Sequence, residues 1–263
     1  MTSSKSASTS DRRRARTPLG ENSVAAGALV VVATPIGNLA DLSSRAVSAL
    51  AAAGYIYCED TRRTLKLLNH AGVSGPRLVA YHRFNEAASV ATAVERLKTG
   101  AVIALVTDAG TPLVSDPGSR LVRAVLAAGF DVSTVPGPSA ALAALVVSGL
   151  ATDRWCVEGF LPRQGRQRAE RLAAIAGEAE RAVVVFESPY RVQRLLDDLA
   201  ATCGAERPLA VCRELTKLHE EVWRGGAGEL SQRARGAQPR GEYVVVVGVP
   251  PQSGRGPSDG PVP

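Results

Sequence analysis

The feature that most constrains this chain is a unit that recurs along it. A short apolar run is followed by an exit rich in Gly, Pro, Asp and Thr, and then by a segment with apolar residues at helical spacing. Ala28–Ala33 (ALVVVA), Tyr55–Cys58, Leu78–Tyr81, Val102–Val106 and Asp131–Val135 read as strands. Helices are predicted from Asp41 or Ser43 to Leu50, to about Ala71, and over Ala87–Thr99, Ser119–Ala128 and Ala140–Ser148. Unbroken apolar runs, as opposed to strict alternation, mark strands buried on both faces. Strand, loop and helix in repetition imply a mostly parallel sheet with helices on its faces. Such sheets bind ligands outside the carboxyl ends of their strands, which is where the polar and Gly/Pro-rich residues of this sequence fall.

A linker-like stretch, Gly149–Arg154, leads to a second half. Its expected strands are Trp155–Phe160, Ala182–Phe186, Leu209–Cys212 and Glu242–Gly248, with an Arg/Ala/Glu-rich helix after the first and another over Val192–Ala201. The 263 residues accommodate two domains of ordinary size, and 45% hydrophobic residues fit a folded protein. The expected organisation is a disordered leader over 1–27, an N-terminal α/β domain over 28–148, a C-terminal α/β domain over 149–249, and a disordered tail over 250–263. The leader is Ser/Thr-rich and carries Arg12, Arg13, Arg14 and Arg16, which contribute to the net charge of +6. A basic excess favours acidic partners such as RNA.

Several classes drop out. No apolar run reaches membrane-spanning length, and no signal-peptide pattern follows the arginines, so a cytoplasmic protein without a membrane partner is expected. Cys58, Cys156, Cys203 and Cys212 form no Cys-x-x-Cys pair and share no zinc-type spacing with the three histidines. No metal site is expected.

Three strand exits carry the ligand chemistry. Thr34-Pro35-Ile36-Gly37-Asn38 lacks both the dinucleotide fingerprint and the lysine of a phosphate loop. Pro35 fixes its backbone and Gly37 permits close approach of a ligand or of neighbouring chain. Thr107–Pro112 with Ser115–Gly118 is stiffened by prolines and glycines, and such preorganisation suits a small ligand. Its Asp108 ends a strand, where a carboxylate takes hydroxyl or ammonium donors or caps the loop's own amides. Val135–Ala140 is the third exit, with Pro136 and Pro138 flanking Gly137.

The segments ATPIGNLADLS (33–43), CEDTRRT (58–64), TDAGTPLVSDPG (107–118), VPGPSA (135–140), EGFLPR (158–163), FESPYR (186–191) and RELTK (213–217) together resemble the ribosomal RNA small subunit methyltransferase I family of the tetrapyrrole methylase superfamily. The likeness spans about Leu29–Gly248. It implies two α/β domains, the first with a mostly parallel sheet and the second with a mixed one, S-adenosylmethionine in the cleft between them, and a homodimer. It also implies methyl transfer to the ribose 2′-oxygen of a cytidine in the decoding region of small-subunit ribosomal RNA, free or in the assembled subunit. By the same resemblance Pro35, Gly37, Asp108, Gly110, Thr111, Pro112, Pro136 and Gly137 face the cofactor, and Phe160 and Leu161 cover its adenine. Relatives commonly carry a further C-terminal helical segment where this chain has Gly/Pro-rich Val249–Pro263, so RNA binding is expected to rest on the two core domains. The TPIGN loop replaces the Gly-rich first motif of tetrapyrrole-modifying members, which argues against a porphyrin or corrin substrate.

A 2′-hydroxyl is a weak nucleophile, so a base near it should help. Glu59, Asp60 and His82, at the ends of the second and third strands, rank first, ahead of Glu86, Glu187 and Lys217. A salt bridge from Glu59 or Asp60 to Arg62 or Arg63, and a structural His82, are the competing readings. Arg163, Arg166, Arg168 and Arg171, clustered at a helix start, are the expected contacts to RNA phosphates, since guanidinium forks match phosphate. A solvated charged surface is the alternative. A small-molecule methyltransferase and a non-enzymatic RNA-binding module are the rival functions.

Overall fold

Five short apolar runs of the first half assemble side by side. β1 (Ala28–Val32), β2 (Tyr55–Cys58), β3 (Arg77–Ala80), β4 (Ile103–Leu105) and β5 (Asp131–Val135) form one sheet in the order β3-β2-β4-β1-β5, with every pairing parallel. The computed structural model describes residues 26–251 except 237 and 239. The leader through residue 25, with its four arginines, and the tail from residue 252 lie outside the described residues, and so does their expected disorder.

Side-chain alternation assigns the helices to faces. Val30 and Val32 of β1 pack with α1 (Ser44–Ala52) and α2 (Thr61–His70), through Ala46, Leu50 and Leu68. Leu29 and Val31 point the other way, against α3 (Glu86–Lys98) and α4 (Ser119–Ala127), through Leu97, Leu121 and Val125. Both faces of β1 are therefore dry, as its unbroken apolar run requires. The helices after β1 and β4, neighbouring strands, leave to opposite faces. Their loops part at that point and open a crevice at the carboxyl edge.

The second sheet is mixed. β6 (Trp155–Phe160), β7 (Ala182–Glu187), β8 (Pro208–Arg213), β9 (Glu221–Gly226) and β10 (Tyr243–Val247) run in the order β6-β7-β10-β8-β9. Only β6–β7 is parallel. α6 (Arg166–Gly177), α7 (Val192–Cys203) and α8 (Ala227–Ala234) cover one face. The other face takes α5 (Ala140–Ser148) through Ala141, Ala144 and Leu145, joined by Ile36 of the first loop and by Leu215. α5 had been expected to close the first half, yet its apolar side packs on the second sheet. Most elements match the sequence reading to within a residue or two. β9 and α8 were not anticipated: β9 has only Trp223 fully buried and ends in two glycines, and α8 starts at Gly226 without a side-chain cap.

The halves interlock at Gly37. A Cβ there would lie 2.4 Å from Lys217 Cγ and 3.0 Å from Thr216 Oγ1. The close approach that Gly37 permits is thus to chain from the second half. Lys217 cannot swing aside freely, because its Nζ donates to Glu214 Oε1 (2.7 Å) and Glu242 Oε2 (3.1 Å). Burial alone would lower the Lys217 pKa, but these carboxylates outweigh it and raise it. Gly37→Ala should lower stability by about 2 kcal/mol, the usual order for an overpacked site, read by thermal or urea unfolding. Wild-type stability in this variant would show that the contact is not tight.

Candidate functional site

The three Gly/Pro-rich exits fold into one unit. Thr34 and Gly110 exchange backbone hydrogen bonds, Thr34 N donating to Gly110 O (2.9 Å) and Gly110 N to Thr34 O (3.0 Å). Thr34 Oγ1 donates to Thr107 O (3.2 Å), and Thr111 Oγ1 donates to Pro138 O (3.0 Å), tying the central loop to the other two. At Gly137 a Cβ would come 3.0 Å from that of Ala33, so this glycine lets the third loop lie against the first. Leu113 and Ser115 hold φ of +74° and +66°, a region that side chains other than glycine seldom adopt. Strain of this kind persists only where the surroundings enforce it, commonly at ligand sites.

These loops form one wall of a cleft of about 380 Å³. Asp108, Gly110, Thr111, Ser115, Asp116 and Ser139 line it from the first half. Phe160, Phe186, Ser188, Leu215, Tyr243 and Val244 line it from the second. Phe160 and Phe186 sit with ring centroids 5.7 Å apart and give that wall an aromatic face. A bulge in β6 at Gly159, φ +77°, brings the strand so near the central loop that a Cβ there would meet Ser115 Oγ at 2.7 Å. A second hollow of about 300 Å³, lined by Pro35 and Lys66, shares Arg63 and Asp108 with the cleft.

The floor is acidic. Asp108 Oδ1 accepts from Asp60 N (3.0 Å), and Oδ2 lies 3.4 Å from Arg63 Nη1. Burial still raises its pKa. Asp116, which the sequence reading quoted in a motif but gave no role, is pushed up to about 6, first by burial and then by Glu59 and Asp108. It has no ion-pair partner among the described residues. Glu59 is raised too, by burial and by Asp108, against the pull of Arg83, Arg63 and His82. The signal for Asp116 in the sequence was its place in the same rigid loop as Asp108.

Asp60 belongs elsewhere. It caps α2, accepts from Arg62 N (2.8 Å) and from the Arg62 guanidinium, and these bonds pull its pKa to about 2. A carboxylate held so low is a poor base, so the salt-bridge reading describes it. His82 ends β3 with its backbone N donating to Asn85 Oδ1 and its Nδ1 buried without a partner. Glu86 accepts from Tyr81 Oη (3.0 Å) and Gly118 N (3.2 Å), a structural tie. Glu187 is fully buried in a two-point ion pair with Arg191.

The cofactor-facing candidates divide in the same way. Pro35, Asp108, Gly110, Thr111 and Phe160 line the hollows. Pro112, Pro136, Gly137 and Gly37 shape the loops without lining the cleft. Leu161 is buried, its side chain in the core of the second sheet and its carbonyl taken by Arg191. It cannot present a side chain to an adenine.

The arginine cluster also splits. Arg163 is exposed. Arg166 pairs with Glu170 (2.6 Å) and Arg171 with Glu158 (3.3 Å), both in solvent, where such pairs are weak and exchangeable. Arg168 is only 4% exposed. Its guanidinium bonds Asp198 (2.7 and 2.8 Å) and Pro162 O (3.0 Å), bracing α6 against α7, so it is withdrawn from any phosphate. At a spacing of two residues from Arg166 on a helix it faces inward.

Comparison with known proteins places this geometry in context. Residues 28–231 match the profile of the tetrapyrrole (corrin/porphyrin) methylases. Proteins named ribosomal RNA small subunit methyltransferase I are similar over most of both chains. The one from Xylella fastidiosa is 47% identical over 84% of this chain and 81% of its own, and that from Mycobacterium tuberculosis CDC 1551 is 44% identical over 88% and 81%. Among solved structures, a cobalt precorrin-4 methyltransferase of cobalamin biosynthesis superposes with TM-score 0.64 at 17% identity, covering 84% of this chain and 95% of its own. Uroporphyrin-III-C-methyltransferase from Thermus thermophilus gives 0.60 at 22%, covering 84% and 94%. These last two establish the fold.

Two outcomes follow from the charges. With Asp116 at about 6 folded and 3.8 unfolded, the folded state holds the extra proton between those values. Stability must therefore fall as pH rises through that window. Asp116→Asn removes this term, so its melting temperature should exceed that of the wild type at pH 7 by more than at pH 4. An equal difference at both pH values contradicts a half-buried carboxylate without an ion-pair partner. Arg168→Ala should cost about 2 kcal/mol by removing its bonds to Asp198 and Pro162 O, whereas Arg163→Ala should leave unfolding curves unchanged. Equal stability of the two variants would contradict the brace.

Proposed function

Because the chain belongs to the ribosomal RNA small subunit methyltransferase I family of the tetrapyrrole methylases, we propose that it transfers a methyl group to small-subunit ribosomal RNA, at the ribose 2′-oxygen of a cytidine in the decoding region. The observation that carries this reading is the cleft between the two sheets, lined by the aromatic rings of Phe160 and Phe186 and by the carboxylates of Asp108 and Asp116, the latter without an ion-pair partner among the described residues. The methyl donor of this family is S-adenosylmethionine. The donor set fits that molecule's chemistry: Phe160 and Phe186 offer a face for a flat purine, and Asp108 and Asp116 offer negative charge to its cationic amino-acid end. Bound there, it supplies a methyl group already activated on a sulfonium sulfur.

The chain's own residues then align the acceptor and handle one proton. Holding a hydroxyl in line with its target supplies much of the rate in such reactions, and the three stapled loops provide a rigid wall for that purpose. Asp116 faces the cleft and has a pKa close to working pH, which is what a proton acceptor needs. Glu59 stands behind it as the remaining carboxylate of the original candidates, and His82 flanks Glu59. Arg163, with Arg166 and Arg171 once they release Glu170 and Glu158, offers cations to phosphates. We further read residues 28–148 and 149–249 as two domains that share the donor site, and the protein as a cytoplasmic homodimer. Among the described residues no helix is long and apolar enough to cross a membrane.

The test is methyl transfer from labelled S-adenosylmethionine to purified small ribosomal subunits lacking their modifications, with the site mapped by ribose-methylation-sensitive cleavage. Label at one cytidine 2′-oxygen, lost with Asp108→Ala, is the expected result. Label on a base, or transfer only to a small molecule, would overturn the assignment. Asp116→Asn should lower kcat about 100-fold with donor affinity within a few-fold of wild type, and the wild-type rate should climb as pH rises through about 6. A flat profile there excludes Asp116 as the acceptor.

A further inference from the structure

We infer that Phe84, on the loop tied to the central loop of the site, is a stacking platform that receives an unpaired base of the RNA; this rests on the RNA reading above. The ring is 89% exposed, so it packs no core. It is nonetheless held. The loop that carries it joins β3 to α3 and is closed by Asn85, whose Oδ1 accepts from His82 N (2.8 Å) and whose Nδ2 donates to Ala80 O (2.9 Å). The His82 ring stands edge-on to Phe84 at 6.0 Å, and the Arg83 guanidinium lies 5.8 Å from the Phe84 centroid.

The loop is also anchored to the site. Glu86, two residues on, accepts from Gly118 N (3.2 Å), and Gly118 follows Asp116 in the central loop. Arg83 and His82 are near enough to act on the Glu59 carboxyl, and Arg120 acts on Tyr81 at the base of the loop. The result is an exposed aromatic ring with the Arg83 guanidinium beside it, not ion-paired among the described residues, on a loop tied to the central loop of the site.

That arrangement fits a single-stranded nucleotide. Every base has a π face, so a lone ring takes any of them, and the adjacent Arg83 meets a neighbouring phosphate. A peptide partner would need an apolar surface around the ring, and Arg83 and Asn85 flank it instead.

The test uses the full chain without cofactor and a single-stranded RNA oligonucleotide carrying one 2-aminopurine, whose fluorescence is quenched by stacking. Wild-type protein should quench it on binding. Phe84→Ala should abolish the quenching and weaken affinity about 10-fold. Phe84→Trp should preserve both, and Phe84→Leu, apolar but without a π face, should not. Melting temperatures and binding of S-adenosylhomocysteine should be unchanged. Affinity in Phe84→Ala equal to wild type, or full rescue by Phe84→Leu, overturns the proposal. A shift in oligomeric state by light scattering with RNA affinity unchanged also overturns it, and assigns the ring to a contact between copies of the chain. Methyl transfer by the wild type to small subunits separates the two levels: transfer that is insensitive to Phe84 removes this inference alone, and no transfer removes the function on which it rests.

Discussion

Thr34 and Gly110 exchange backbone hydrogen bonds at the place where β1 and β4 send their chains to opposite faces of the sheet. A parallel sheet wound on both faces must open there, and an opening lined by free backbone groups would be floppy and wet. The paired amides convert it into a fixed edge. Gly110 is suited to this position because its φ of +81° is open to glycine and a Cβ would crowd Ile36 at 3.3 Å. The Thr111–Pro138 bond, the Gly137–Ala33 approach and the positive-φ Leu113 and Ser115 lie in the loops that this edge joins. Ile36 then carries it into the core of the second sheet, beside α5 and Leu215.

The distribution of charge separates scaffold from site. Arg168–Asp198 and Arg191–Glu187 each set one buried charge against a half-buried partner, and Asp60 is spent on a cap and Arg62. Removing the more exposed member of such a pair leaves the buried charge without its partner, which is costly. Asp108 and Asp116 are different: half-buried and raised in pKa, Asp108 held by one guanidinium at 3.4 Å and one backbone amide, Asp116 by the Thr107 hydroxyl. A carboxylate left in this condition reduces stability at neutral pH unless a cation arrives. The cleft therefore has a chemical preference before any ligand is considered.

The parallel sheet was readable because strands buried on both faces must be apolar throughout, as ALVVVA is, and because helices and Gly/Pro exits punctuated them. β9 and α8 escaped because EVWRGG buries one side chain and AGELSQRA begins without a cap. The placement of α5 escaped for another reason: its run AALAALVVS is apolar all round, so nothing in it names the sheet it covers. At the site, spacing identified the loops but not the direction of side chains. Gly37 reads equally well as a ligand contact or a packing contact, and Lys217 decides. Arg168 looks like its neighbours until the helix turns it inward. Asp116 stood in full view beside a proline and a glycine, but its partial burial and its neighbours Glu59 and Asp108 are properties of the folded chain.

Hydrogen exchange with S-adenosylhomocysteine tests the shared cleft most directly. If the loops act as one unit closed by the second sheet, the ligand should protect amides at 108–116, 138–140, 160–161, 186–188 and 243–244 together, at one ligand concentration. Protection confined to one half of the chain, or lying outside these segments, would contradict a donor site built between the two sheets.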